Sequence, residues 1–139
     1  MSSFSHVSTK EHYALRMMVW LAKTYHNRDA LSLGKISRSE KISLKYLEHL
    51  IRPFVMAGWV RSCRGRDGGY IMIKDPQQVN LHEMMQILYG RLELVECLDA
   101  ARQIRCAQEP HCVSKRAWGR VQKAMEQTLR GITLGELVE

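Results

Sequence analysis

Three of the chain's four cysteines, Cys97, Cys106 and Cys112, stand in the segment CLDAARQIRCAQEPHC, among Arg, Gln, Glu and His residues. Thiolates are soft donors, and three together suit an iron–sulfur cluster or zinc better than any hard cation. No two of them have the CxxC spacing that most structural zinc sites supply. A thiol switch, a disulfide with a spare thiol, or thiols without a role are the other readings. The N-terminal MSSFSHVSTKEH lacks a signal peptide's apolar core, and no run is long enough to span a bilayer. The expected location is the cytoplasm, away from membranes. There, clustered cysteines serve metal or redox chemistry more than structural disulfides.

The elements that must position these thiols can be read along the chain. Ser8 and Glu11 fit a capping box before the apolar run Tyr13 to Ala22, which predicts a helix buried on several faces. Ser32 caps a short helix through about Glu40, and Lys41-Ile42-Ser43 forms a tight turn. Ser43 then caps a helix whose apolar stripe is Leu44, Leu47, Leu50, Ile51, Phe54 and Val55, ended by Gly58. Pro53 removes a hydrogen bond and crowds the preceding turn, so a kink or early break near Arg52 is expected. Two strand-like runs, Trp59–Cys63 and Tyr70–Lys74, flank a turn built from Gly65, Asp67, Gly68 and Gly69, the signal of a hairpin. Cys63 falls on this hairpin as a half-buried strand residue. Two helices joined by a tight turn and followed by a basic-tipped hairpin describe a winged helix-turn-helix.

Beyond it, a helix from about Leu81 to Tyr89 leads into the cysteine segment. A long helix then starts near Ser114, with Trp118, Val121, Met125 and Leu129 as its stripe, and Ile132–Val138 closes the chain. An amphipathic helix beyond a complete small domain needs a partner surface, and the same helix of a second chain is the economical one. The expected fold is mainly α with a small β-hairpin wing. Residues 1–75 form a winged helix-turn-helix domain; residues 76–139 carry a helix, the cysteine loop and a long dimerisation helix.

Charge follows the same division. The net charge of +7 arises in residues 1–75, with 13 Lys/Arg against 6 Asp/Glu, whereas residues 76–139 hold 8 of each. Such asymmetry is the footprint of a polyanion partner. No phosphate-binding glycine loop, HExxH or nucleophile motif is present, and the glycines of RGRDGGY lie in a hairpin, so an enzyme is not expected.

STKEHYALRMMVWLA, ISLKYLEHL, VRSCRGRDGGY and ITLGEL, in that order and spacing, resemble the IscR/NsrR group of bacterial transcription regulators, the Rrf-two family, over nearly the whole chain. The resemblance implies a homodimeric winged-helix protein that binds double-stranded DNA and is crossed through its long helix. It also implies an iron–sulfur cluster, two-iron or four-iron, on Cys97, Cys106 and Cys112. That cluster would control DNA affinity in response to redox state, nitric oxide or iron supply. A zinc site or thiol switch in the same loop is the alternative. The chain departs from the family pattern where Arg66-Asp67 replaces Pro-Gly at the wing tip, at Pro53, and in a wider first cysteine gap. IscR places a histidine ligand three residues after the third cysteine; here that position is Lys115. NsrR-like proteins take a ligand from an acidic residue just before Tyr-Ala-Leu-Arg in the other subunit's first helix. His12 occupies that place and is the expected fourth ligand. His111 is nearer in sequence, but its adjacency to Cys112 makes joint ligation difficult.

Ser43, Lys45, Tyr46 and Glu48 lie on the N-terminal turns of the recognition helix, which should enter the major groove. Lys45 can reach a guanine edge or a phosphate, Tyr46 a phosphate, and Glu48 a cytosine amino group. Arg64 and Arg66 sit among glycines at the wing tip, where arginine suits a narrow, electronegative minor groove.

Overall fold

In the computed structural model, which describes residues 7–103 and 106–139, the first predicted helix runs Thr9–Lys23 (α1). The backbone N–H and hydroxyl of Ser8 both donate to the Glu11 carboxylate, at 2.6 and 2.5 Å, closing the helix start. Helix α2 spans Leu33–Glu40 and α3 spans Leu44–Met56. Ser32 and Ser43 cap them, each hydroxyl oxygen accepting an amide at 3.2 Å from Lys35 and Tyr46 respectively. Between them, Lys41 takes a left-handed conformation (φ 55°). A side chain there costs about 1–2 kcal/mol. The Ser37 hydroxyl, donating to the Ile42 carbonyl at 2.5 Å, and burial of Ile42 hold the turn against that cost.

The stripe of α3 packs as its spacing requires. Leu47, Leu50, Ile51 and Phe54 are at most 1% exposed, against Ala14, Met17, Met18 and Leu21 of α1 and Ile36 of α2. Leu44, at the helix start, is instead exposed. The break expected near Arg52 does not occur, since α3 continues through Pro53 to Met56. Proline falls in the last turn, where only the bond to His49 is lost, and both His49 and Arg52 face solvent. Below it the Pro53 carbonyl accepts from Ala57 N at 2.9 Å, and Gly58 (φ 75°) turns the chain out, as the glycine position predicts.

Strands β1 (Val60–Cys63) and β2 (Gly69–Met72) form an antiparallel hairpin with Val60 opposite Met72 and Cys63 opposite Gly69. Leu31, just before α2, bridges to Tyr70 through two 2.9 Å backbone hydrogen bonds. Gly69 permits this approach: a Cβ there would lie 2.4 Å from the Leu31 carbonyl oxygen. The wing is thereby fastened to the start of the helix-turn-helix.

A 3-10 turn at Pro76–Gln78 precedes α4 (Leu81–Tyr89), and the chain later returns through α5 (Val113–Gly131) to α6 (Leu134–Val138). Leu134 N donates to the Val79 carbonyl at 2.8 Å, and its side chain is fully buried against the α1 core. Helix α5 fully buries no residue. Gln122 accepts the Leu94 amide at 3.0 Å, Gly119 approaches Leu98, and Leu129 faces α1 and α4. The expected stripe differs along its length: Met125 and Leu129 are half-buried, Leu129 beside α1 and α4, while Trp118 and Val121 nearer the helix start are 47% and 49% exposed. No helix among the described residues is long and apolar enough to cross a membrane.

Candidate DNA interface and cysteine loop

The helix-turn-helix is oriented by a contact that sequence reading did not single out. Glu40, the last residue of α2, accepts the Trp20 indole N–H at 2.5 Å and the Arg16 Nε at 2.5 Å, both from α1. The indole hydrogen bond first, and the Arg16 guanidinium with it, hold the Glu40 carboxyl below its ordinary range, against the opposing effect of burial. One carboxylate thus ties the turn to the central helix. Only its place in a helix end hinted at this, because the partners lie 20 and 24 residues away.

On the outer side of α3, Lys45 and Glu48 are exposed, and Ser43 is exposed with its hydroxyl oxygen accepting the Tyr46 amide. Tyr46 is half-buried, its ring edge-on to Tyr13 with centroids 6.0 Å apart, so packing fixes it as much as any ligand would. Arg64 and Arg66 are exposed at the wing tip, as expected, and Cys63 is half-buried at its base. Lys41 in the turn and Arg61 on β1 join the same basic surface, although neither was expected there. Among the described residues Lys41, Lys45, Arg61, Arg64 and Arg66 take part in no ion pair, whereas Lys74, Arg91, Arg102 and Lys115 do. Exposed and unpaired, these five cations are available to phosphates.

The cysteine loop is organised by charge. Gly90 ends α4, and Arg91 then pairs with Asp99, whose side chain is 8% exposed. Asp99 also accepts the Ala101 amide at 2.9 Å and lies 3.7 Å from Arg102, which reaches Glu96 at 2.8 Å. This buckle encloses a 3-10 turn, Glu96–Leu98, and holds Cys97 half-exposed. Cys106 is exposed. Cys112 caps α5, its sulfur accepting the Lys115 amide at 3.4 Å, while the Lys115 ammonium pairs with Glu109. Lys115 thus ties the loop to the start of α5.

As a donor set, three thiols suit a soft metal or cluster. Their placement within one chain does not complete a site: among the described residues no three His, Cys, Asp or Glu side chains converge as metal ligands. His12 is exposed on α1 and lines a small apolar cavity of about 130 Å3 with Leu129 and Met84, and it joins no such group. The same holds for His111.

A helix-turn-helix with an attached wing and an unpaired basic surface defines a winged-helix DNA-binding protein. The family model Rrf2, iron-dependent transcriptional regulator, matches residues 7–139, and the chain belongs to that family of transcription regulators. It is 33% identical to the HTH-type transcriptional regulator CymR of Bacillus subtilis (strain 168) over 131 residues, 94% of this chain and 88% of that protein. The solved structure of CymR, the global cysteine regulator of B. subtilis, matches with a TM-score of 0.79 at 28% identity, covering 96% of this chain and 95% of that one. The structure of T. potens IscR matches with a TM-score of 0.77 at 30% identity, over 97% and 87% of the two chains.

Proposed function

We propose that the protein is a cytoplasmic, homodimeric transcription regulator whose affinity for double-stranded DNA is set by the state of the cysteine loop. Residues 1–75 read the DNA: Lys45 and Glu48, with Ser43 and Tyr46, approach the major groove, and Arg64 and Arg66 the adjacent minor groove. Residues 76–139 sense and dimerise. The observation that carries this reading is a winged helix-turn-helix with Lys45, Arg64 and Arg66 exposed and, among the described residues, in no ion pair. The dimer forms through the free face of α5, where Trp118 and Val121 leave apolar area in water and Ala117 and Ala124 allow close approach.

An iron–sulfur cluster is the group that Cys97, Cys106 and Cys112 would hold, with His12 of the second subunit as the non-cysteine ligand. Bound there, it supplies a redox-labile crosslink of the loop. The chain's own contribution is the Asp99 buckle, which fixes Cys97, and the α5 cap, which fixes Cys112. A thiol switch is the second reading, favoured by the unconverged thiols and by the similarity to CymR.

Iron, sulfide and zinc analysis with a visible spectrum of protein purified without oxygen tests the choice. Colour with iron and sulfide, bleached by alanine at any of the three loop cysteines but not by Cys63→Ala, supports the cluster. Colourless, iron-free protein whose DNA affinity responds to peroxide supports the thiol switch, and stoichiometric zinc removes both.

A further inference from the structure

Pro53 has no part in the DNA surface, and its surroundings suggest another use. The C-terminal half of α3 and the end of α4 diverge, leaving a groove of about 500 Å3. Small-molecule sites occupy roughly 300–1,000 Å3. Leu50, Pro53, Met56, Ile87 and Leu88 form its walls. The proline ring adds apolar surface to the wall, and its missing N–H leaves the His49 carbonyl without its helical partner. Met56 is 87% exposed. A flexible, polarizable side chain left in water at the mouth of a groove can repack around ligands of varied shape.

The rim carries only one sign of charge. Lys10, His49 and Arg52 line it, and no carboxylate does. The Lys10 ammonium is held in place, donating to the Leu88 carbonyl at 3.0 Å and lying 4.7 Å from the centre of the Tyr89 ring. Arg52 is exposed and, among the described residues, in no ion pair, so its guanidinium is available for a carboxylate.

We propose that this groove binds a small organic anion with an apolar body, of the class of medium-chain or aromatic carboxylates. The body lies on Pro53, Met56 and Ile87, and the carboxylate meets Arg52 and Lys10. Such a ligand would touch both the recognition helix and the helix that feeds the cysteine loop. The site uses none of the loop cysteines, and its test requires no DNA.

The full-length protein is titrated with anilinonaphthalene sulfonate, followed by fluorescence, and the probe is competed with decanoate, with decanol and with an acidic amphipathic peptide. The expected result is a saturable site, one per chain, from which decanoate displaces the probe about tenfold better than decanol does. Arg52→Glu should weaken decanoate about tenfold and leave decanol unchanged. Ala57→Trp, at an exposed position on the groove, should weaken both by filling it. Unsaturable binding, or affinities untouched by both substitutions while the circular dichroism spectrum is preserved, would overturn the site. Displacement by the peptide but not by decanoate would overturn the small-molecule ligand.

Discussion

In the helix-turn-helix, Leu47, Leu50, Ile51 and Phe54 of α3 are at most 1% exposed and serine caps close the helix starts. In the second half, α5 fully buries nothing, and the loop before it is held by Arg91, Asp99, Arg102 and Glu96. The first region packs into one core, to which Leu88 and Leu134 of the second half also contribute; the α5 face and the loop thiols lie outside that core. Packing of the first kind resists local opening, whereas a loop held by a few ion pairs, with Asp99 alone buried among them, opens at smaller cost. The proposed function, a rigid DNA-reading half and a responsive cysteine loop, would use this difference.

Substitutions on the two sides should separate accordingly. The largest effect is expected at the α5 face. Val121→Asp places a charge in the proposed dimer seam and should give monomer by light scattering, with specific DNA binding lost because a single half-site is marginal. A wild-type monomer would remove the basis for that assignment. Next, Phe54→Ala should lower stability by about 3–5 kcal/mol in urea denaturation, from lost burial plus a cavity. Cys106→Ala, at an exposed loop position, should change it by no more than about 0.5 kcal/mol. Equal effects would erase the contrast.

Glu40 gives a smaller and pH-dependent effect. Its carboxyl is lowered in the native state, so the stability it contributes is full above the ordinary value of 4.5. That contribution is lost as pH falls through the lower native value. Glu40→Gln should cost about 1.5 kcal/mol at neutral pH, with the difference from wild type shrinking toward acid. A constant difference across that range would place the effect in packing instead. The smallest effect is expected at the wing. Arg64→Ala should weaken DNA binding by about 1 kcal/mol and reduce the slope of log affinity against log salt by about 0.9.

How much of this was legible depended on the range of the interactions. The Ser8, Ser32 and Ser43 caps, the α3 stripe and the hairpin are local patterns, and they stand where the sequence places them. Pro53 was misjudged because its cost depends on distance from the helix end, and the end lies three residues on. Leu129 is half-buried beside α1 and α4 of its own chain, which helical spacing could not foretell, because it identifies neighbours on a stripe without saying what covers them. Glu40 with Trp20, and the Asp99 buckle, were unreadable, since ion pairs across loops leave no periodicity. The charge excess marked the half that carries the wing but not the exposure of Lys41 or Arg61, which depends on turn and strand geometry.

The most direct test compares the DNA affinity of the oxygen-free protein before and after treatment with an iron chelator, in wild type and in Cys112→Ala. The wild type should show two distinct affinities and Cys112→Ala one, with the circular dichroism of the helices unchanged throughout. A single affinity in the wild type under both conditions, and after peroxide treatment, would contradict control of DNA binding by the cysteine loop.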